Sequence, residues 1–153
     1  MDRKFIFLDF DGVLHIKCGK HFSKLKLFEE YLTKMPKAEI VISSTWRESY
    51  EFEELRNFFD MPFREKVIGV TPILERGFEI GGRQKEIELF LQKCCLAEKS
   101  SSWIALDDTE SLFNPNCKNL ILVNSNTGFR EEDGYQLIKW YWKNELVTHL
   151  GTI

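Results

Sequence analysis

The chain has 153 residues, 43% of them hydrophobic and 14% aromatic, and a formal net charge of −3. That is about one domain's length with ample core material, which excludes a disordered chain, and the charge excludes a globally basic nucleic-acid binder though not a local basic patch. No apolar run approaches the roughly 18 residues of a bilayer span, and Met1–Phe5 lacks the length and cleavage site of a signal peptide, so a cytoplasmic protein with no membrane contact is expected.

Phe5–Leu8 is a short continuous apolar run and reads as the first strand. Phe22–Met35 carries Leu25, Phe28 and Leu32 at helical spacing. Ile40–Ile42 is the second strand, and Thr45–Phe59 follows as a helix with Thr45-x-x-Glu48 as its capping box. Val67–Val70 is the third strand. Arg83–Ala97 is a helix with Ile87, Phe90 and Leu91 on one face. Trp103–Leu106 and Leu120–Val123 are the last strands, and Glu131–Leu146 is a helix carrying Leu137, Ile138, Tyr141 and Trp142. Short runs rich in Ile and Val are strands buried on both faces, and their alternation with helices predicts an α/β fold. The expectation is a single domain over residues 1–153: a Rossmann-like three-layer α/β/α sandwich around a parallel sheet of about five strands.

Ligands of such sheets bind outside the carboxyl ends of the strands. Asp9-Phe10-Asp11-Gly12 follows the first strand, Ser43-Ser44-Thr45-Trp46-Arg47 the second, and Asp107-Asp108-Thr109 the fourth. Arg83 and Lys85 stand at the start of a helix ahead of the fourth strand. In a parallel sheet these groups converge on one edge. Carboxylates so crowded repel unless a cation neutralises them, and Mg²⁺ is the default ion for oxygen ligands beside phosphate. Of two Asp two residues apart, one can act as nucleophile and the other as proton donor and acceptor. Ser43 and a cation from Arg83 or Lys85 would hold the oxygens of a transferring phosphoryl group.

Phe7-Leu8-Asp9-Phe10-Asp11-Gly12-Val13-Leu14 resembles the first motif of the haloacid dehalogenase (HAD) superfamily, Ile42-Ser43 the second, and Leu106-Asp107-Asp108 the fourth. Ser44-x-Trp46-Arg47, Arg83-x-x-Glu86-Ile87 and the Asn126–Phe129 turn are similar to the HAD domains associated with Swiss-army-knife RNA repair proteins. The resemblance spans roughly residues 4–140. It implies that Asp9 attacks phosphorus and becomes an aspartyl-phosphate, while Asp11 protonates the leaving oxygen and then activates water. It also implies Mg²⁺ on the Asp9 carboxylate, the Asp11 backbone carbonyl and Asp108, with Asp107 close behind. Ser43 would hydrogen-bond the phosphoryl group, and either Arg83 or Lys85 would supply the third-motif cation. Ser44, Arg47 and Gly12 are the candidate substrate contacts.

Many HAD enzymes carry a cap domain, but the stretches from Leu14 to Ser43 and from Arg47 to Arg83 are too short for one. An open site admits a phosphate on a large body, such as a nucleic-acid end. Residues 15–38 hold six Lys against two Glu, which reads first as a solvated lysine face on a helix and otherwise suits a polyanion. Arg47 reads as a phosphate clamp, a partner of an active-site Asp, or a helix cap. Trp46 reads as a core ring, with base stacking as the alternative. Trp140-Tyr141-Trp142 reads as packing against the sheet or a partner, and His15 and His21 as loop histidines. Cys18, Cys94, Cys95 and Cys117 form no CxxC pair and read as reduced thiols. His15-x-x-Cys18-x-x-His21 offers three metal ligands but fits no common zinc spacing. The leading expectation is a Mg²⁺-dependent phosphatase acting on a phosphorylated substrate, with a nucleic-acid end favoured and no protein partner indicated. The rivals are a phosphatase of small metabolites or nucleotides and a non-catalytic interaction module.

Overall fold

The structure, a computed structural model, describes residues 2–94 and 101–150. Strand β1 (Arg3–Leu8) lies at the centre of a five-stranded parallel sheet. It pairs with β2 (Ala38–Ile42) on one side and β4 (Ser101–Asp107) on the other, and β3 (Val67–Val70) and β5 (Leu120–Leu122) form the edges. Four helices accompany it: α1 (Leu25–Leu32), α2 (Phe52–Arg56), α3 (Gly82–Cys94) and α4 (Glu131–Leu150).

The pleat explains the layering. Successive side chains of a strand point to opposite faces. Ile6 and Leu8 join the core formed with Phe28 and Leu32 of α1, Leu55 of α2, and Leu137 and Tyr141 of α4. Phe5 and Phe7 point the other way, toward Ile87 and Phe90 of α3, with Phe90 edge-on at 6.2 and 5.7 Å. Both faces of β1 are thus covered by helices, which gives the expected three layers. Tyr141 is buried and its hydroxyl accepts the Lys37 N–H at 2.9 Å, while Trp142 Nε1 donates to Lys34 O at 3.2 Å. The aromatic triplet therefore fastens α4 to the turn between α1 and β2.

Two helices differ from expectation. The first begins at Leu25 rather than Phe22, because Phe22 adopts a left-handed φ of 62° that no helix continues. The predicted Thr45–Phe59 helix is a 3-10 turn, Thr45–Glu48, followed by the separate α2. Ser44, not Thr45, caps the turn: its hydroxyl accepts the Trp46 N–H at 3.2 Å. A new start follows at Glu51, whose N–H is taken by the Glu54 carboxylate at 3.1 Å. Helix α4 runs beyond Leu146 to Leu150. Cys95 and the predicted end of the third helix at 95–97 lie outside the described residues.

From β1 the chain steps outward through β2 to β3, then crosses back to β4 on the other side of β1. Ligand sites of open α/β sheets form at this reversal, at the carboxyl ends of the strands. The stretches 15–42 and 48–82 are fully described and carry no inserted cap domain. No helix among the described residues is long and apolar enough to cross a membrane.

Candidate active site

Register brings the site together. Leu8 lies opposite Ile42 on one side and Leu106 on the other. The next residue of each strand, Asp9, Ser43 or Asp107, therefore emerges at the same edge. Asp9 N–H donates to Leu106 O at 3.1 Å and Ser43 N–H to Leu8 O at 3.0 Å, so both backbones are pinned to the sheet.

Asp9 and Asp107 are buried and Asp108 is half-buried. The three present carboxylate oxygens within 4.8 Å of one another. Arg83, in the first turn of α3, reaches under them: its Nη1 is 2.7 Å from Asp107 Oδ2 and 3.5 Å from Asp9 Oδ1. Thr109 donates its N–H to Asp107 Oδ1 at 2.9 Å and its hydroxyl to Asp108 Oδ1 at 3.0 Å. Both oxygens of Asp107 thus accept hydrogen bonds from protein groups, Asp108 accepts one at Oδ1, and the cation facing Asp9 is Arg83 at 3.5 Å.

Burial pushes the Asp9 carboxyl well above the usual carboxylate range, and the charge of Asp107 adds to the effect while Arg83 opposes it. Asp107 is also raised by burial, against the pull of Arg83. Burial works against the Arg83 charge, but Asp107 and Asp9 outweigh it and hold the guanidinium firmly protonated. One guanidinium against three carboxylates leaves negative charge uncompensated in a dry place, which is costly without a further cation. An all-oxygen donor set with this excess fits a hard divalent ion held first by Asp9 and Asp108.

A family model described as the HAD domain in Swiss Army Knife RNA repair proteins matches residues 5–134. The chain belongs to this family. Neither the curated proteins nor the solved structures searched contain a match.

The HAD domain places the remaining candidates unequally. Of the two third-motif cations, Arg83 meets the carboxylates, whereas Lys85 is exposed on another side of α3. Ser43 is buried at the end of β2, beside Asp9. Ser44 is fully buried and its hydroxyl is spent on capping, so it is not placed to touch substrate. Arg47 is also a correction. Its guanidinium donates to the carbonyls of Ser43, Ser44, Thr71 and Pro72 at 2.9–3.3 Å and pairs with Glu86 Oε1 at 2.8 Å. It ties β2 to the segment after β3 and to α3, with no donor left for a phosphate.

Asp11 stands apart from the acidic triad. His15 Nε2 lies 2.7 Å from its Oδ1, and Trp46 Nε1 donates to its Oδ2 at 3.1 Å. The sequence pointed to neither contact, although the four-residue step from Asp11 to His15 in a turn is a usable signal. His15 is 1% exposed rather than a free loop histidine. Both its nitrogens are engaged, which removes it from the His15–Cys18–His21 metal set. Among the described residues, the group of three able to hold a metal is Asp9, Asp107 and Asp108.

Gly12 is needed for two reasons. Its φ is +79°, and a Cβ there would collide with Asp108 Oδ2. Gly12→Ala is expected to cost about 1–3 kcal/mol of stability, read by thermal denaturation, and to displace Asp108. A titration with a divalent cation should show weaker binding than the parent, and equal affinity would refute the role given to this close approach.

Proposed function

We propose that this HAD domain is a Mg²⁺-dependent phosphohydrolase that removes a phosphate monoester from a nucleic-acid end. The observation that carries the reading is Asp9 at the end of the central strand, packed against Asp107, Asp108 and Arg83 with Asp11 two residues on. Mg²⁺ bound there would neutralise the acidic group and let a phosphate dianion approach. Asp9 Oδ forms a bond to phosphorus as the bond to the leaving oxygen breaks, and Asp11 gives that oxygen its proton. Water then attacks the aspartyl-phosphate and gives a proton to Asp11, which frees inorganic phosphate and restores Asp9. Ser43 holds a phosphoryl oxygen, and Arg83 keeps Asp9 and Asp107 in place.

Three things favour a large substrate. No cap domain is inserted in the described stretches 15–42 and 48–82, Lys17, Lys20, Lys26, Lys34 and Lys37 are exposed on the segment that leaves the catalytic loop, and the family's own description is of RNA repair. The free thiols Cys18, Cys94 and Cys117 suit a reducing, cytoplasmic setting. A second reading rests on a cavity of about 220 Å³ lined by Arg83, Thr45, Leu74 and Phe78, which would take the body of a small phosphorylated metabolite on the far side of Arg83 from the carboxylates.

The test is phosphate release with and without Mg²⁺ from oligonucleotides phosphorylated at the 5′ or 3′ end, nucleoside monophosphates, sugar phosphates and an aryl phosphate. Turnover of the oligonucleotides that falls steeply with salt supports the first reading. Turnover confined to small phosphates supports the second. No turnover on any of them refutes both and favours an interaction module.

A further inference from the structure

We propose that His15 and Trp46 are positioning residues that clamp the Asp11 carboxyl group for proton delivery, which adapts the site to poor, alcohol-type leaving groups. The proposal rests on the phosphohydrolase reading for its chemistry, though the clamp itself can be tested without turnover.

Asp11 is the more exposed of the two motif aspartates: half its side chain meets solvent. A carboxyl so placed would ordinarily sample several rotamers in water. Here each oxygen is held by a ring N–H from a different element. His15 comes from the loop after β1, and Trp46 from the 3-10 turn after β2.

The donors are themselves fixed. Phe22 N–H donates to His15 Nδ1 at 3.2 Å, so in the neutral ring the proton sits on Nε2 and points at Asp11. Phe22 makes this contact from its left-handed φ of 62°, a costly conformation for a bulky residue that persists only where its surroundings enforce it. The Trp46 indole cannot swing away. It stacks on Tyr50 at 5.3 Å and meets Phe10, Phe22 and Phe58 edge-on at 5.5, 5.3 and 5.8 Å. Asp9 takes no part in this arrangement, because its neighbours are Arg83 and the other acids. The two motif aspartates thus have separate supports.

Each oxygen that accepts one hydrogen bond keeps a further lone pair for the transferable proton. In the first step, the electron pair of the breaking P–O bond passes to the leaving oxygen, which takes the Asp11 proton and departs as a neutral alcohol. A sugar hydroxyl requires that proton. A nitrophenolate leaves without it. A fixed proton donor therefore matters most for substrates of the sugar–phosphate class.

The test compares kcat/KM on a sugar phosphate with kcat/KM on 4-nitrophenyl phosphate, which reports the leaving-group step and not the hydrolysis the two substrates share. Trp46→Phe keeps the ring and loses the N–H, and His15→Phe loses the other donor. In each, the ratio of the two kcat/KM values is expected to fall about tenfold, less than the roughly 10²–10⁴-fold of general acid–base catalysis because the acid itself is retained. His15→Gln, which retains a side-chain N–H, should recover part of the loss. Equal losses on both substrates, or none, would overturn the proposal. The second readout is the Trp46 indole ¹H–¹⁵N resonance, identified by its disappearance in Trp46→Phe. It should move on Asp11→Asn in protein with or without activity. A resonance that stays put would disprove the clamp. If the parent releases no phosphate while the resonance does move, the phosphohydrolase reading fails and the clamp stands.

Discussion

Asp9→Asn is expected to lower Mg²⁺-dependent phosphate release by a factor on the order of 10⁴ or more, since the attacking oxygen and its charge are both lost. Retention of more than a few per cent of activity would exclude an aspartyl-phosphate at this position. The same substitution should have the opposite effect on stability. Burial and repulsion from Asp107 raise the Asp9 carboxyl, so the folded state holds its proton more tightly than the unfolded chain does. The cost of ionising Asp9 in the fold is absent below the ordinary carboxylate range, near pH 4, and grows as pH rises. Asp9→Asn should therefore melt at a higher temperature than the parent at neutral pH in chelator, with the gap closing as pH falls. A lower melting temperature at neutral pH would show that Arg83 fully offsets the burial of the acid.

Arg47→Ala is expected to be the most damaging single change to the fold. It strands the buried Glu86 carboxylate and removes the donor from four carbonyls at once. Breaking a buried pair by removing one partner typically costs about 3–5 kcal/mol, a large share of the stability of an ordinary domain. Chemical denaturation of the variant should show that loss, or the protein should fail to accumulate in soluble form. A variant that keeps the parent's denaturation midpoint and only raises KM would restore Arg47 to the substrate-binding role its sequence position suggests.

The sheet and its acidic edge are readable in the primary structure because each strand is an apolar run that meets a polar residue abruptly. Leu8–Asp9, Ile42–Ser43 and Leu106–Asp107 are such junctions, and parallel register carries all three to one edge. The choice between Arg83 and Lys85 was also within reach. Arg83 precedes the inward-facing Ile87 by four residues and shares its face, whereas Lys85 is rotated away. Other features carry no periodic signal. The direction of Arg47 depends on where Thr71 and Pro72 pass, more than twenty residues later. His15 is held beside Asp11 by the Phe22 N–H, at the far end of a loop with left-handed residues at Cys18 and Phe22, and neither residue type advertises that conformation. The predicted Thr45–Phe59 helix is interrupted by a fresh start at Glu51, whose N–H is taken by the Glu54 carboxylate.

With no domain inserted among the described residues over the edge where Asp9 stands, arrival and departure would need no hinge motion. An acyl-phosphate formed there would start from the largely buried Asp9, with the uncovered edge as the route by which water reaches it. Its fate then becomes a competition set by concentration, and water outnumbers any dissolved alcohol. On the proposed reading such a site would favour hydrolysis and would transfer phosphate elsewhere only if an acceptor were delivered to it. A lateral approach would also suffice: the end of a long chain could be processed without being threaded through an enclosure.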